Sequence, residues 1–227
     1  ARYTTIKTRV IGNNQHLLRI DEEEESLISG SLESELINRV EKIISDGVDA
    51  IILEDYNKGL LTEEAIAGII KLANKANVPV AVDPKKDNFF AYRNVTLFKP
   101  NLKELKEGLG VEFDISKDKT GFEAAVASLE LKLDNQITLV TLSEDGVFVK
   151  QDNTANYIAA HIRKISDVSG AGDTVIAVAT LCLAAGLSPT ELAEIANLSG
   201  GLVCEISGVV PIDRQQLYNE LLKLMKV

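Results

Sequence analysis

Two glycines flank an alanine at Gly170, Ala171 and Gly172, Asp173 follows at once, and an alanine-rich helical pattern then runs to Gly186. Backbone N–H groups at the start of a helix lack intrahelical partners and point along a dipole worth about half a positive charge, so a loop stripped of side chains there can approach an anion closely. A carboxylate beside such a loop could accept the proton of an attacking hydroxyl while the amides surround a phosphoryl group in transit. Phosphoryl transfer asks for that division of labour, because its transition state is loose and highly charged. An aspartate with an ordinary pKa of about 3.9 is a weak base toward an alcohol, so its part would be to orient the hydroxyl and take the proton late, as the new bond forms. Asp173 also reads as a charge placed in the first turn of a helix, where the macrodipole stabilises it. The pattern is neither a P-loop, since no Gly-Lys-Ser/Thr follows, nor the dinucleotide fingerprint, since the third glycine is missing.

The elements that must position this loop can be read from periodicity. Residues 3–20 alternate around the turn residues Gly12, Asn13 and Asn14 and predict a β-hairpin. The acidic run 21–26 reads as a solvated surface turn. Apolar residues at helical spacing predict a helix from Leu32 to Ile44, and a second is expected from about Thr62 to Ala76. Between and after them, the β-branched runs VDAIILEDY, VPVAVDP, VTLFKP and QITLVTL predict strands, while GVFVKQ and TANYIAA read as antiparallel additions. Asn101 can cap a helix, with Glu104 as its capping-box partner. Helices are expected from Ala171 to the end. Strand alternating with helix is the rhythm of a parallel sheet covered on both faces. In such sheets ligands lie beyond the carboxyl ends of the strands, which places Asp55, Lys58, Asp83, Asn101, Thr141 and Ser143 on one rim.

Length and composition bound the rest. The 227 residues suit one good-sized core, and 45% apolar with 26% charged residues is ordinary for a folded chain. A formal charge of −10 with no basic patch excludes nucleic acid and anionic membranes as expected partners, leaving phosphate ligands to local dipoles, lysines or a metal ion. No apolar run reaches the roughly 18 residues of a membrane span, and no signal peptide is read at the start, so a cytosolic (cytoplasmic) protein is expected. Cys182 and Cys204 read as buried hydrophobes rather than a redox or metal pair.

The stretch DVSGAGDT resembles the signature of the ribokinase-like carbohydrate kinases, the PfkB class. The resemblance extends over ILEDYNKGLLT, VAVDPKK, LFKPNLKEL, TLSEDGVFV and ANLSGGLVCEISG, in the family's order. Within the class, residues 5–21 with DYNKG are most similar to the heptose 7-phosphate kinases of ADP-heptose and lipopolysaccharide-core synthesis. The resemblance implies an α/β fold, a three-layer αβα sandwich with a mostly parallel sheet. Residues 1–20 would be the remnant of a small β lid and residues 21–227 the nucleotide-binding domain. The sugar-binding motifs of the family's first third are not found, so the sequence is expected to lack the N-terminal strands, to expose apolar sheet edges and to hold the kinase part alone.

Carried over by position, the resemblance makes Asp173 the catalytic base and Gly170, Ala171 and Gly172 its anion hole. Asn101, Leu102, Lys103 and Glu104 match the Asn-x-x-Glu motif at the ATP phosphates, with Glu104 holding Mg2+ through water. Thr141, Ser143 and Gly146 would flank the nucleotide and Asn197 would lie near its adenine or ribose. Lys58 and Arg9 are candidate partners of a sugar phosphate, each also readable as a solvated cation. Asp167 matches the position that supports a monovalent cation in some relatives. His16 and His161 match no catalytic motif. Relatives pair through the lid, which implies a homodimer. Two other readings stand beside a heptose kinase: a kinase of another sugar or a nucleoside, and a nucleotide-binding module without catalysis.

Overall fold

The computed structural model describes residues 2–12, 15–161 and 163–224, with the backbone alone for residues 15 and 16. Strands β1 (Ile6–Gly12) and β2 (Gln15–Glu22) form an antiparallel hairpin. Of the turn expected there, Asn13 and Asn14 lie outside the described residues, as does the side chain of His16. Next come α1 (Gly30–Asp46), β3 (Ile51–Glu54), α2 (Glu63–Lys75), β4 (Val80–Asp83), β5 (Leu97–Phe98), α3 (Leu102–Leu109) and α4 (Lys119–Leu133). Strands β6 (Ile137–Thr141), β7 (Val147–Gln151) and β8 (Thr154–Ile158) precede α5 (Ala171–Ala184), α6 (Pro189–Val203) and α7 (Arg214–Leu224).

The larger sheet runs β3-β4-β5-β6-β7-β8, with the first four strands parallel, β7 antiparallel to β6 and β8 antiparallel to β7. Alternation along the central strands explains the layering, because successive side chains of a strand point to opposite faces. Val80, Val82, Phe98, Val140 and Phe148 enter one core with Ile66 of α2, Leu105 of α3 and Phe122 of α4. Their neighbours Ala81, Leu97, Leu139 and Val147 enter the other core with Val175 and Ile176 of α5 and Ala193 of α6. All four residues of β4 are buried, as a central parallel strand requires. Strand β3 forms an edge of the sheet, with Ile52 39% exposed. This three-layer α/β/α sandwich with a mostly parallel sheet is the fold class expected from sequence.

Helix α4 has no counterpart among the elements expected from sequence, which stop at Gly110 and resume at Gln136. Its stripe of Phe122, Ala125, Val126, Leu129 and Leu133 has helical spacing, and the Asp118 side chain caps it by accepting from the Gly121 N–H at 2.8 Å. The acidic run also needs correction. It is not a solvated turn: the side chains of Asp21 and Glu23 are 20% and 17% exposed and pair with Lys7, while Glu23 and Glu25 pair with Lys58. The run docks on the loop after β3, where Ile28 N–H donates to the Gly59 carbonyl at 2.9 Å. Gly59 has φ +71, and a Cβ there would lie 2.0 Å from the Ser26 carbonyl oxygen, so only glycine admits the strap. Half-buried Lys58 on the loop and Lys7 on β1 meet their counter-charges in this run.

Candidate active site

Strands β3 and β4 end side by side, Glu54 in register with Asp83, so both carboxylates open at the carboxyl rim. Asp83 is 7% exposed and pairs with the buried Lys99, just beyond β5, at 3.0 Å. Helix α5 begins over this pair. Gly170 takes φ +82 at the N-cap with no side-chain cap bond, and the Ala171 N–H donates to the Val168 carbonyl at 3.2 Å, which leaves the Gly172 and Asp173 amides open. A Cβ on Gly172 would sit 3.8 Å from Lys99 Nζ and 3.9 Å from Asp83 Oδ2, which places the glycine loop directly above the ion pair. Asp173 is exposed, and its carboxylate lies with those of Glu54 and Asp83 in a group whose oxygens fall within 4.8 Å of one another.

Three carboxylates with one buried lysine leave excess negative charge, and the titration of the neighbours reflects it. Burial, then the adjacent Asp173, pushes the Glu54 carboxyl up. Burial pushes Asp83 up too, opposed by Lys99. The Tyr56 hydroxyl donates to Glu54 Oε1 at 3.1 Å and is pushed up by burial and by both carboxylates. An all-oxygen donor set of this kind suits a hard divalent cation such as magnesium.

The neighbouring segments join this rim. Lys85, two residues beyond Asp83, pairs with Glu104 Oε1 at 2.6 Å. The other Glu104 oxygen accepts from the Asn101 N–H at 2.9 Å, while Asn101 Oδ1 accepts from the Glu104 N–H at 2.8 Å, completing the capping box expected from sequence. Leu102 packs on the core, and Lys103 projects outward to Glu107. Asn101 bridges Thr141 in parallel, which ties the end of β6 to the same rim. Ser143 follows in a one-turn helix with φ +56, and Gly146 has φ +90, where a Cβ would lie 2.1 Å from the Ile158 carbonyl oxygen. Asp173, residues 101–104 and residues 141–146 therefore all lie at the carboxyl end of the sheet.

Other expected residues have different surroundings. Asn197 is buried and donates to the Ala159 carbonyl at 2.8 Å. Asp55 is buried and accepts from Tyr92, Asn88 and the Asn57 N–H, so it braces the loop after β3. Lys58 is held by Glu23 and Glu25. Arg9 lies on β1 opposite Arg19, and it is Lys7, two residues earlier on the same face, that lines a cavity of about 430 Å³ with Thr5, Glu54, Asp55, Tyr56, Lys58 and the two leucines at 60 and 61. Asp167 accepts from the N–H groups of Ser169 and Gly208. Burial and then Arg163 push His161 down. Both cysteines are free and buried, and burial pushes their thiols up. Sequence reasoning missed Glu54, Tyr56, Lys85 and Lys99. Each stands within two residues of a strand end, and that position was the signal that could have found them.

The chain belongs to the pfkB family of carbohydrate kinases, whose profile matches residues 49–214. It is 36% identical over 220 residues to the bifunctional protein HldE of Methylobacillus flagellatus, an alignment covering 97% of this chain and 44% of that protein, so the chain spans under half of its relative's length. In fold it is similar to phosphofructokinase-2 of Escherichia coli, with a TM-score of 0.76 at 19% identity over 88% of this chain and 64% of that one. A ribokinase of Arabidopsis thaliana solved with ribose and ATP gives a TM-score of 0.66 at 20% identity, covering 94% of this chain and 66% of that one. No helix among the described residues is long and apolar enough to cross a membrane.

Proposed function

We propose that this chain carries the phosphoryl-transfer half of an ATP-dependent kinase acting on the anomeric hydroxyl of a heptose 7-phosphate. The observation that carries the reading is the open turn from Gly170 to Asp173 set above the buried Asp83–Lys99 pair. The amides of Gly172 and Asp173 face the phosphoryl group, Lys99 adds a positive charge beneath it, and the Asp173 carboxylate accepts the acceptor hydroxyl's proton as the new P–O bond forms. The cavity beside Glu54 and Tyr56 admits the acceptor. Residues 101–104 and 141–146, with Asn197 bracing Ala159, form the nucleotide side.

The oxygen donors at this rim fit magnesium: Asp83 and Glu54 would hold it directly, and Glu104, already engaged with Lys85, would act through water. The ion supplies charge neutralisation of the ATP phosphates. Asp167 is the candidate for supporting a monovalent cation. The hairpin serves as a lid, and its outward residues Ile6, Val10, Leu18 and Ile20, 42–54% exposed, support pairing of two copies through it. The heptose itself comes from the likeness of residues 5–21 and DYNKG to heptose 7-phosphate kinases. A cytoplasmic setting accords with a reaction that consumes ATP.

Asp173→Asn in the full-length protein tests the reading. ADP release with Mg-ATP and heptose 7-phosphate should fall by about 10²–10⁴-fold, the contribution of a general base. Turnover unchanged from wild type removes Asp173 from the mechanism.

A further inference from the structure

The carboxylate of Glu23 occupies an unusual place. It belongs to the strap joining the hairpin to the sandwich, yet it binds both lysines that line the acceptor cavity, Lys7 at 3.3 Å and Lys58 in a closer ion pair. These two lysines come from different parts of the fold, β1 and the loop after β3, and Glu23 bridges them. The three side chains are 27%, 24% and 17% exposed, so the bridge is largely shielded from solvent. Hydrogen bonds from Lys58 first, then burial working against them, leave the Glu23 carboxyl below its usual range. Asp21 and Glu25 touch one lysine each, at 3.4 Å and 2.5 Å. The strap itself is fastened independently: Arg2 donates to the carbonyls of Ser26 and Glu24, and the Gly59 carbonyl accepts from Ile28.

We propose that Glu23 is a specificity-determining residue, a built-in anion that holds the place of the acceptor's own charged group and yields it only to a dianion. The proposal rests on the acceptor-site reading above. A neutral sugar has nothing to exchange with Glu23 and leaves the bridge closed. A phosphorylated acceptor replaces one carboxylate charge with nearly two and more acceptor oxygens, so it captures Lys7 and Lys58 together. Because Arg2 and Gly59 keep the strap seated, Glu23 can swing away without release of the hairpin.

The sign of one substitution distinguishes a competitor from a mere support. Isothermal titration of the whole 227-residue chain compares wild type with Glu23→Gln, using inorganic phosphate, glucose 6-phosphate and glucose as probes. Glu23→Gln should bind phosphate and glucose 6-phosphate about 3- to 10-fold more tightly, the size of one partly screened ion pair, with glucose unchanged. Glu25→Gln, which frees only the exposed flank of Lys58, should shift these affinities less. Unchanged or weaker phosphate binding by Glu23→Gln overturns the proposal, and so does an absence of phosphate binding in both proteins. Should Glu23→Gln fail to fold, Lys7→Gln gives the second reading: phosphate affinity must fall, and an unaltered affinity overturns the proposal. Mg-ATP titrated in parallel separates the two inferences, since loss of nucleotide binding sinks the kinase reading while the phosphate comparison stands.

Discussion

Replacing Gly172 by alanine separates what the anion loop does for the fold from what it does for chemistry. A Cβ at this position would meet Lys99 Nζ at 3.8 Å and Asp83 Oδ2 at 3.9 Å, both ordinary van der Waals distances, and the residue's φ lies outside the left-handed region that Gly170 occupies. Nothing must move to admit the methyl. Alanine is favoured over glycine in a helix by roughly 0.5–1 kcal/mol, and at the second residue of α5 the lower end applies. For a chain of this size that raises the melting temperature by about 1–2 °C. The same methyl stands where a phosphoryl oxygen must come within about 2.8 Å of the ammonium, and it crowds the amides of the first turn. Losing one such donor typically lowers kcat about 10²–10³-fold. Thermal melting and coupled ADP-release kinetics on the same preparation measure both sides. A variant that melts higher and turns over like wild type refutes the placement of the travelling phosphoryl group above Lys99.

Two other outcomes follow from the charge at the rim. Glu54 has its folded-state pKa raised, so the folded chain binds more protons than the unfolded one between the ordinary glutamate value and the raised value, and stability falls as pH rises through that window. Glu54→Gln should therefore melt higher than wild type at neutral pH without metal, the two should converge once the pH drops below the ordinary range, and added Mg2+ should narrow the gap. Equal melting temperatures across the whole pH range would show that neither burial nor Asp173 raises the Glu54 carboxyl. Lys99→Met strands Asp83 as a buried carboxylate without its cation. Breaking a buried pair on one side costs about 3–5 kcal/mol, measurable by urea denaturation, and a Lys99→Met variant as stable as wild type would contradict the 3.0 Å ion pair.

Much of the architecture was legible in the chain because both periodicities were clean. The runs at 51–54, 80–83 and 137–141 are continuous and apolar, as buried parallel strands must be, and Asn101 with Glu104 announced the start of α3 by a local rule of capping. The glycine loop was equally local: small residues, an aspartate and a helix pattern lie within one turn of each other in sequence. Family resemblance then supplied roles that spacing alone left open. Helix α4 was within reach of the same reasoning, since its apolar stripe has ordinary spacing.

What the one-dimensional record could not contain was pairing between strand ends. Glu54, Asp83, Lys99 and Asp173 are separated by as many as 119 positions, and only the parallel register of β3 with β4, together with the placement of α5 over the carboxyl rim, brings them into one field. Asp55 and Lys58 show the same limit from the other side. Both were polar residues at a strand end, and the fold committed one to a buried hydrogen-bond network and the other to the acidic strap. Local propensity is written along the chain, so the sequence determined most of the elements, the glycine loop and the Asn101 cap of α3. Electrostatic partnership depends on distances across the sheet, so tertiary structure alone decided which charges meet at the rim and which are spent on holding the loop.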